Sequence, residues 1–65
     1  MTIQEFLLIN NPQNVEIRCR DYRSAKPISL DRFWEEYGGT DIVKEYPKTA
    51  TLKEYNGETM LSFTL

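Results

Sequence analysis

Basic residues are concentrated in one stretch of the chain, in a pattern that can recognise nucleic acid. Four of the eight Lys and Arg residues fall within nine positions: Arg18, Arg20, Arg23 and Lys26. Arg18, Arg20 and Tyr22 would share one face of a strand, where guanidinium groups could hold phosphate and the ring could stack on a base. The alternative is a solvated strand face whose charges pair with nearby carboxylates. A net charge of −2 and a pI near 5.0 argue against strong affinity for nucleic acid.

The residues that usually carry out catalysis are scarce. The chain has no His, and its one cysteine, Cys19, is expected on the inward face of a strand as a structural thiol. Glu35 and Glu36 lie on the polar side of a predicted helix, which indicates solvated charges rather than a paired acid site. Neither a phosphate-binding loop nor metal-ligand spacing is found. The sequence therefore predicts a non-enzymatic protein without a metal or cofactor.

A second candidate surface combines aromatic, methionine and arginine side chains. Tyr55 and Met60 are diagonal neighbours on the outer face of a predicted hairpin, and Tyr22 could lie beside them. Tyr, Met and Arg are enriched in protein interfaces. The predicted protein-binding residues are Arg18, Arg20, Tyr22, Tyr55 and Met60. The alternatives are simple packing at the sheet edge and a contact between two copies of the chain.

The elements that must position these residues are organised around a C-terminal hairpin. Asn56-Gly57 is typical of a two-residue type I′ turn, because both turn positions need a positive φ. Such a turn fixes the register, with Tyr55 opposite Glu58 and Leu52 opposite Leu61. One face of the hairpin is then apolar, and we expect helices to cover it: Ala50, Leu52, Leu61 and Phe63.

The rest of the chain supplies two helices and one more strand. A capping box over 2–5 and an asparagine stop predict a helix over 3–10. Alternating apolar residues predict a strand over 14–21. A second helix lies within 27–39, N-capped by serine and stopped by two glycines. The segment 40–48 suits either one helical turn, stopped by its proline, or a short strand; we favour an irregular or one-turn structure.

These elements predict a single α+β domain covering residues 1–65. The order α-β-α-β-β gives a three-stranded sheet with both helices on one face, while the strand order cannot be read from the pattern. The chain shows neither an N-terminal signal sequence nor an apolar run long enough to span a membrane, so we expect a soluble cytoplasmic protein.

Three short motifs resemble small proteins encoded by phages and mobile elements of Gram-positive bacteria. The motifs are T-x-x-E-F-L over 2–7, N-V-E-I over 14–17 and M-L-S-F-T-L over 60–65. The resemblance implies an accessory role, such as binding or inhibiting a host protein. Together with the candidate surface, it predicts a protein-interaction module. The alternative is a nucleic-acid-binding protein that uses Arg18, Arg20, Arg23 and Lys26.

Overall fold

The computed structural model describes residues 1–19 and 26–65. In these residues the fold contains two helices, one 3-10 turn and four strands. In chain order the elements are α1 (Ile3–Asn10), β1 (Asn14–Arg18), β2 (Ile28–Ser29), α2 (Leu30–Tyr37), the 3-10 turn (Asp41–Lys44), β3 (Thr49–Tyr55) and β4 (Glu58–Thr64). The predicted α+β class is confirmed, and the segment 40–48, for which the sequence favoured an irregular or one-turn structure, contains one 3-10 turn, Asp41–Lys44, followed by irregular chain.

The sheet has four strands in the order β2-β1-β4-β3, so the prediction of three strands was wrong in number. The additional strand is the two-residue β2, which pairs antiparallel with β1 just before α2 begins. Two residues carry no detectable alternation, which is why the sequence pattern did not reveal them. β1 runs parallel to β4, while β3 and β4 are antiparallel. The sheet is therefore mixed, with β1 and β4 at its centre.

The C-terminal hairpin forms in the predicted register. Tyr55 lies opposite Glu58, and all seven pairs down to Thr49 opposite Thr64 follow. Asn56 and Gly57 have φ values of 51° and 80°, the positive values that a type I′ turn requires. A local turn signal thus fixed the pairing of two complete strands.

Side-chain and backbone caps set the helix ends. The Thr2 hydroxyl accepts from the Glu5 backbone N–H, and the Thr2 backbone N–H donates to the Glu5 carboxylate, which completes the predicted capping box. Asn11 closes α1 in the left-handed conformation, with φ of 43°. Ser29 caps α2 by accepting from the backbone N–H of Arg32. The helix bounds predicted from these caps are confirmed for α1.

The core lies between the helices and one face of the sheet. Its buried residues come from both layers: Ile3, Leu7, Val15, Phe33, Val43, Leu61 and Phe63. Ala50 packs on this cluster, but Leu52 is 58% exposed, although we expected helices to cover it. Leu52 lies on β3, at the edge of the sheet, whereas the covered Leu61 lies on the central β4. The helices therefore cover the central strands and leave most of β3 exposed.

Candidate functional site: the open face of the sheet

The sheet face opposite the core is here called the open face. Residues that lie opposite one another in register share a face, and neighbours along a strand point to opposite faces. The register therefore assigns each strand residue either to the core face or to the open face. The open face consists of Asn14, Glu16 and Arg18 on β1, Glu58, Met60, Ser62 and Thr64 on β4, and Thr49, Thr51, Lys53 and Tyr55 on β3. None of these residues belongs to the hydrophobic cluster that the helices form with the sheet. Within the described residues, the open face therefore lies outside the helix-covered core.

A carboxylate near the centre of the open face is held by its neighbours. Ser62 donates its hydroxyl hydrogen to Glu16 Oε1 across 2.7 Å, and Arg18 Nε lies 3.8 Å from the same oxygen. The Glu16 side chain is only 16% exposed, whereas that of Arg18 is 53% exposed. The distance from Arg18 is that of an ion pair and is too long for a hydrogen bond. Glu16 is therefore the one carboxylate paired with Arg18 within the described residues, and more than half of the Arg18 side chain stays exposed.

The hairpin end of the face is tied to β1 and to the loop before it. The Gln13 side chain accepts from the Thr59 backbone N–H at 2.9 Å, while the Gln13 backbone N–H donates to the Thr59 hydroxyl at 3.0 Å. Asn14 Nδ2 donates to Glu58 Oε1 at 3.3 Å. Among the described residues, every buried side-chain nitrogen and oxygen has a hydrogen-bond partner. These bonds hold the face in one arrangement, which lowers the entropy cost of binding to it.

Met60 was predicted as an exposed binding residue, and the structure does not support that assignment. Met60 lies on the open face as expected, but only 6% of it is exposed. Its strand is central, so Met60 has a neighbour on the same face on both sides, Asn14 on β1 and Lys53 on β3. Tyr55, on the edge strand, is 37% exposed. Of the predicted Tyr55–Met60 pair, only Tyr55 is available for contact.

The structure does not bring the described basic residues together. Arg18 lies on the open face, whereas Lys26 lines a groove on the helix side of the sheet, beside Val15 and Ile17. Arg20, Tyr22 and Arg23 lie outside the described residues. The two residues of the basic cluster that the structure describes, Arg18 and Lys26, are thus on opposite sides of the sheet. One phosphate backbone could not contact both of them.

The helix-side groove was not anticipated from the sequence. It has a volume of about 260 Å³ and lies between α2 and the strands β1 and β2. Arg32 and Glu36 stand on its wall, joined by a hydrogen-bonded ion pair of 2.9 Å. The i, i+4 spacing of Arg32 and Glu36 could have predicted the ion pair from the sequence. The groove itself could not be predicted, because its opposite wall belongs to β1, and only the sheet topology brings β1 near α2. Its floor consists of core side chains, including Phe33.

The described residues offer little other site chemistry. Within residues 1–19 and 26–65, no three His, Cys, Asp or Glu side chains lie where they could share a metal ion. Cys19 is partly exposed rather than buried. No helix in the described part of the chain has the length and apolar character needed to cross a membrane. Comparison with protein-family models, curated proteins and solved structures finds no match for the chain.

Proposed function

We propose that the protein is a non-enzymatic module that binds another protein on the open face of its sheet. The observation that carries this proposal is the placement of the helices, which cover one face of the four-stranded sheet and leave the other outside the core. The resemblance to phage and mobile-element proteins adds that the partner is a host or element-encoded protein. The proposed contact residues are Arg18, Lys53 and Tyr55, with Arg20 and Tyr22 as further candidates.

The exposed side chains of the face are of the kind that bind proteins. Tyr55 on β3 and Arg18 on β1 mark opposite corners, since Tyr55 lies opposite Glu58 and Arg18 opposite Thr64 at the other end of β4. Tyr and Arg are the residue types that most often dominate interface energies. Between these corners, Lys53 and the threonines of β3 are exposed and can supply a polar rim.

The size of the face limits the strength of a one-copy complex. Six residue steps along β4 correspond to about 20 Å, and the distance from β1 to β3 is about 10 Å. This amounts to about 200 Å², against about 800 Å² per partner in a stable interface. A partner that contacts this face alone should therefore bind transiently.

The structure favours a protein over a nucleic acid as the partner. A nucleic-acid site would need several cations in one groove, yet Arg18 and Lys26 lie on opposite sides of the sheet. Arg18 is also partly neutralised by Glu16. We therefore treat nucleic-acid binding as an outcome of the experiment and not as a second proposal.

The proposal is tested by identifying the partner through affinity capture and then titrating it with matched variants. Tyr55→Ala should weaken binding by at least about tenfold, because an anchoring tyrosine is lost. Tyr46→Ala is the control, since Tyr46 is 71% exposed but lies in the loop before β3. Equal affinity of wild type, Tyr55→Ala and Arg18→Ala would remove the open face as the site.

The same proteins are titrated with a mixed single-stranded oligonucleotide at low and high salt. A protein contact through the open face should weaken only moderately with salt, because Tyr55 carries no charge. Phosphate contacts should weaken steeply, because counterions are released. Oligonucleotide binding that is lost at high salt, without any captured protein, would replace the proposal with the nucleic-acid alternative.

A further inference from the structure

The outer edge of β3 offers unpaired backbone groups along its whole length. Within the described residues, β3 is an edge strand whose one neighbour is β4. The turn joins the Tyr55 carbonyl to the Glu58 N–H, and hydrogen-bonded positions alternate from there along an antiparallel pair. The N–H and C=O groups that point away from β4 therefore belong to Ala50, Leu52 and Glu54.

Proline, a covering helix or charged side chains usually protect such an edge. In β3 the two charged residues, Lys53 and Glu54, are adjacent and lie near the turn, so Thr49–Leu52 is an uncharged stretch. β3 spans seven residues without proline, and all of them except Ala50 are exposed. Its middle residue is a leucine, Leu52, which is 58% exposed. An exposed leucine at the centre of an edge strand is a feature that favours pairing with another chain.

We infer that the occupant is a second copy of the chain, whose β3 pairs antiparallel with this one about a twofold axis through Leu52. This register pairs all seven residues of both strands, because Leu52 is the midpoint of Thr49–Tyr55. Leu52 meets Leu52 of the other copy, Ala50 meets Glu54, Thr51 meets Lys53, and Thr49 meets Tyr55. The isologous contact closes on itself, as in most homodimers.

The charges of β3 are compatible with self-pairing and favour this register over the neighbouring ones. The strand carries one cation, Lys53, and one anion, Glu54, which point to opposite faces. With the axis at Leu52, each charge lies opposite an uncharged residue. Moving the axis to Lys53 would place two lysines directly opposite each other, which is destabilising, and moving it to Thr51 would pair only five residues of each strand.

The dimer would enlarge the open face, but its formation does not depend on the proposed binding function of that face. Two four-stranded sheets would join through β3 into one sheet of eight strands, with both helix layers on the same side. The two open faces would be continuous and twice the area of one. A partner could then contact about twice the area that one copy offers, which comes closer to the size of a stable interface. Dimerisation can be measured without any partner, so its failure and that of the proposed function are separable.

The inference is tested by sedimentation velocity of the full chain over an about hundredfold range of concentration. Wild type should change from monomer to dimer. Leu52→Glu sets two carboxylates against each other on the axis and should raise the dissociation constant by at least about tenfold. Leu8→Glu is the matched control, because Leu8 is 73% exposed but lies on α1; it should dimerise as wild type does.

The register is tested separately by cysteine cross-linking in a Cys19→Ser background. Opposed hydrogen-bonded residues have Cα atoms about 5.5 Å apart, within the range for a disulfide. Leu52→Cys should therefore oxidise rapidly to a covalent dimer, and Leu8→Cys should not. The inference is overturned by a wild type that stays monomeric at every concentration, by equal dimerisation of Leu52→Glu, or by equal cross-linking at both positions.

Discussion

Phe33 and Trp34 are adjacent aromatic residues on α2, and we predict that they differ greatly in their contribution to stability. Phe33 is 1% exposed, whereas Trp34 is only partly buried at the margin of the core. The Phe33 ring lies 5.9 Å from that of Trp34 and 5.1 Å from that of Tyr37. Phe33→Ala thus removes a central ring together with its contacts to two other aromatic rings, whereas Trp34→Ala removes a partly solvated ring.

The expected loss can be compared with the stability of the whole domain. Replacing a buried phenylalanine by alanine costs about 3–5 kcal/mol. A core of this size supplies about 3–5 kcal/mol in total. Phe33→Ala should therefore be largely unfolded at 25 °C, while Trp34→Ala should lose less and stay folded. The sequence pattern places Phe33 and Trp34 on the same apolar side of α2 and does not distinguish them. A difference in stability between the two variants therefore tests the packing seen in the structure.

Urea denaturation followed by far-ultraviolet circular dichroism measures both variants. Phe33→Leu is the control, because it keeps an apolar side chain of smaller volume and should fold with a loss of about 1–1.5 kcal/mol. In Phe33→Ala, the fluorescence of Trp34 should shift toward that of a solvated indole. Equal destabilisation by Phe33→Ala and Trp34→Ala, or a greater loss in Trp34→Ala, would refute the assignment of Phe33 as the buried residue.

Three further predictions concern local structure. Gly57→Val should lower the melting temperature markedly, because a β-branched residue is strained at a φ of 80°; an unchanged melting curve would contradict the turn. Gly38→Ala should destabilise the end of α2, since a Cβ there would strike the Trp34 carbonyl oxygen; urea midpoints measure the loss. The Thr2 backbone N–H, and then its hydroxyl, lower the pKa of Glu5. The charged carboxylate therefore stabilises the folded state at pH values above its unfolded pKa, and this stabilisation is lost as the pH falls through the lowered folded pKa. An NMR titration should show the lowered pKa of Glu5, and Glu5→Gln should abolish this part of the pH dependence of stability.

The sequence alone determined the features that depend on near neighbours. Asn56 and Gly57 require positive φ, so they fixed the turn and, through it, the register of β3 and β4. The capping box at Thr2 and the cap at Ser29 fixed where the helices begin. The alternation of Val15 with its neighbours indicated β1. Each of these signals acts within a few residues, and each was visible in the chain.

The tertiary structure alone decided which of these residues are covered. Leu52 and Leu61 are opposite one another on the same face, yet Leu61 is buried and Leu52 exposed, because β4 is central and β3 is an edge. Met60 is buried for the same reason, and Arg18 and Lys26 are separated by the sheet. Strand order results from the packing of the whole chain, and local alternation gives a residue's face but not its distance from the edge.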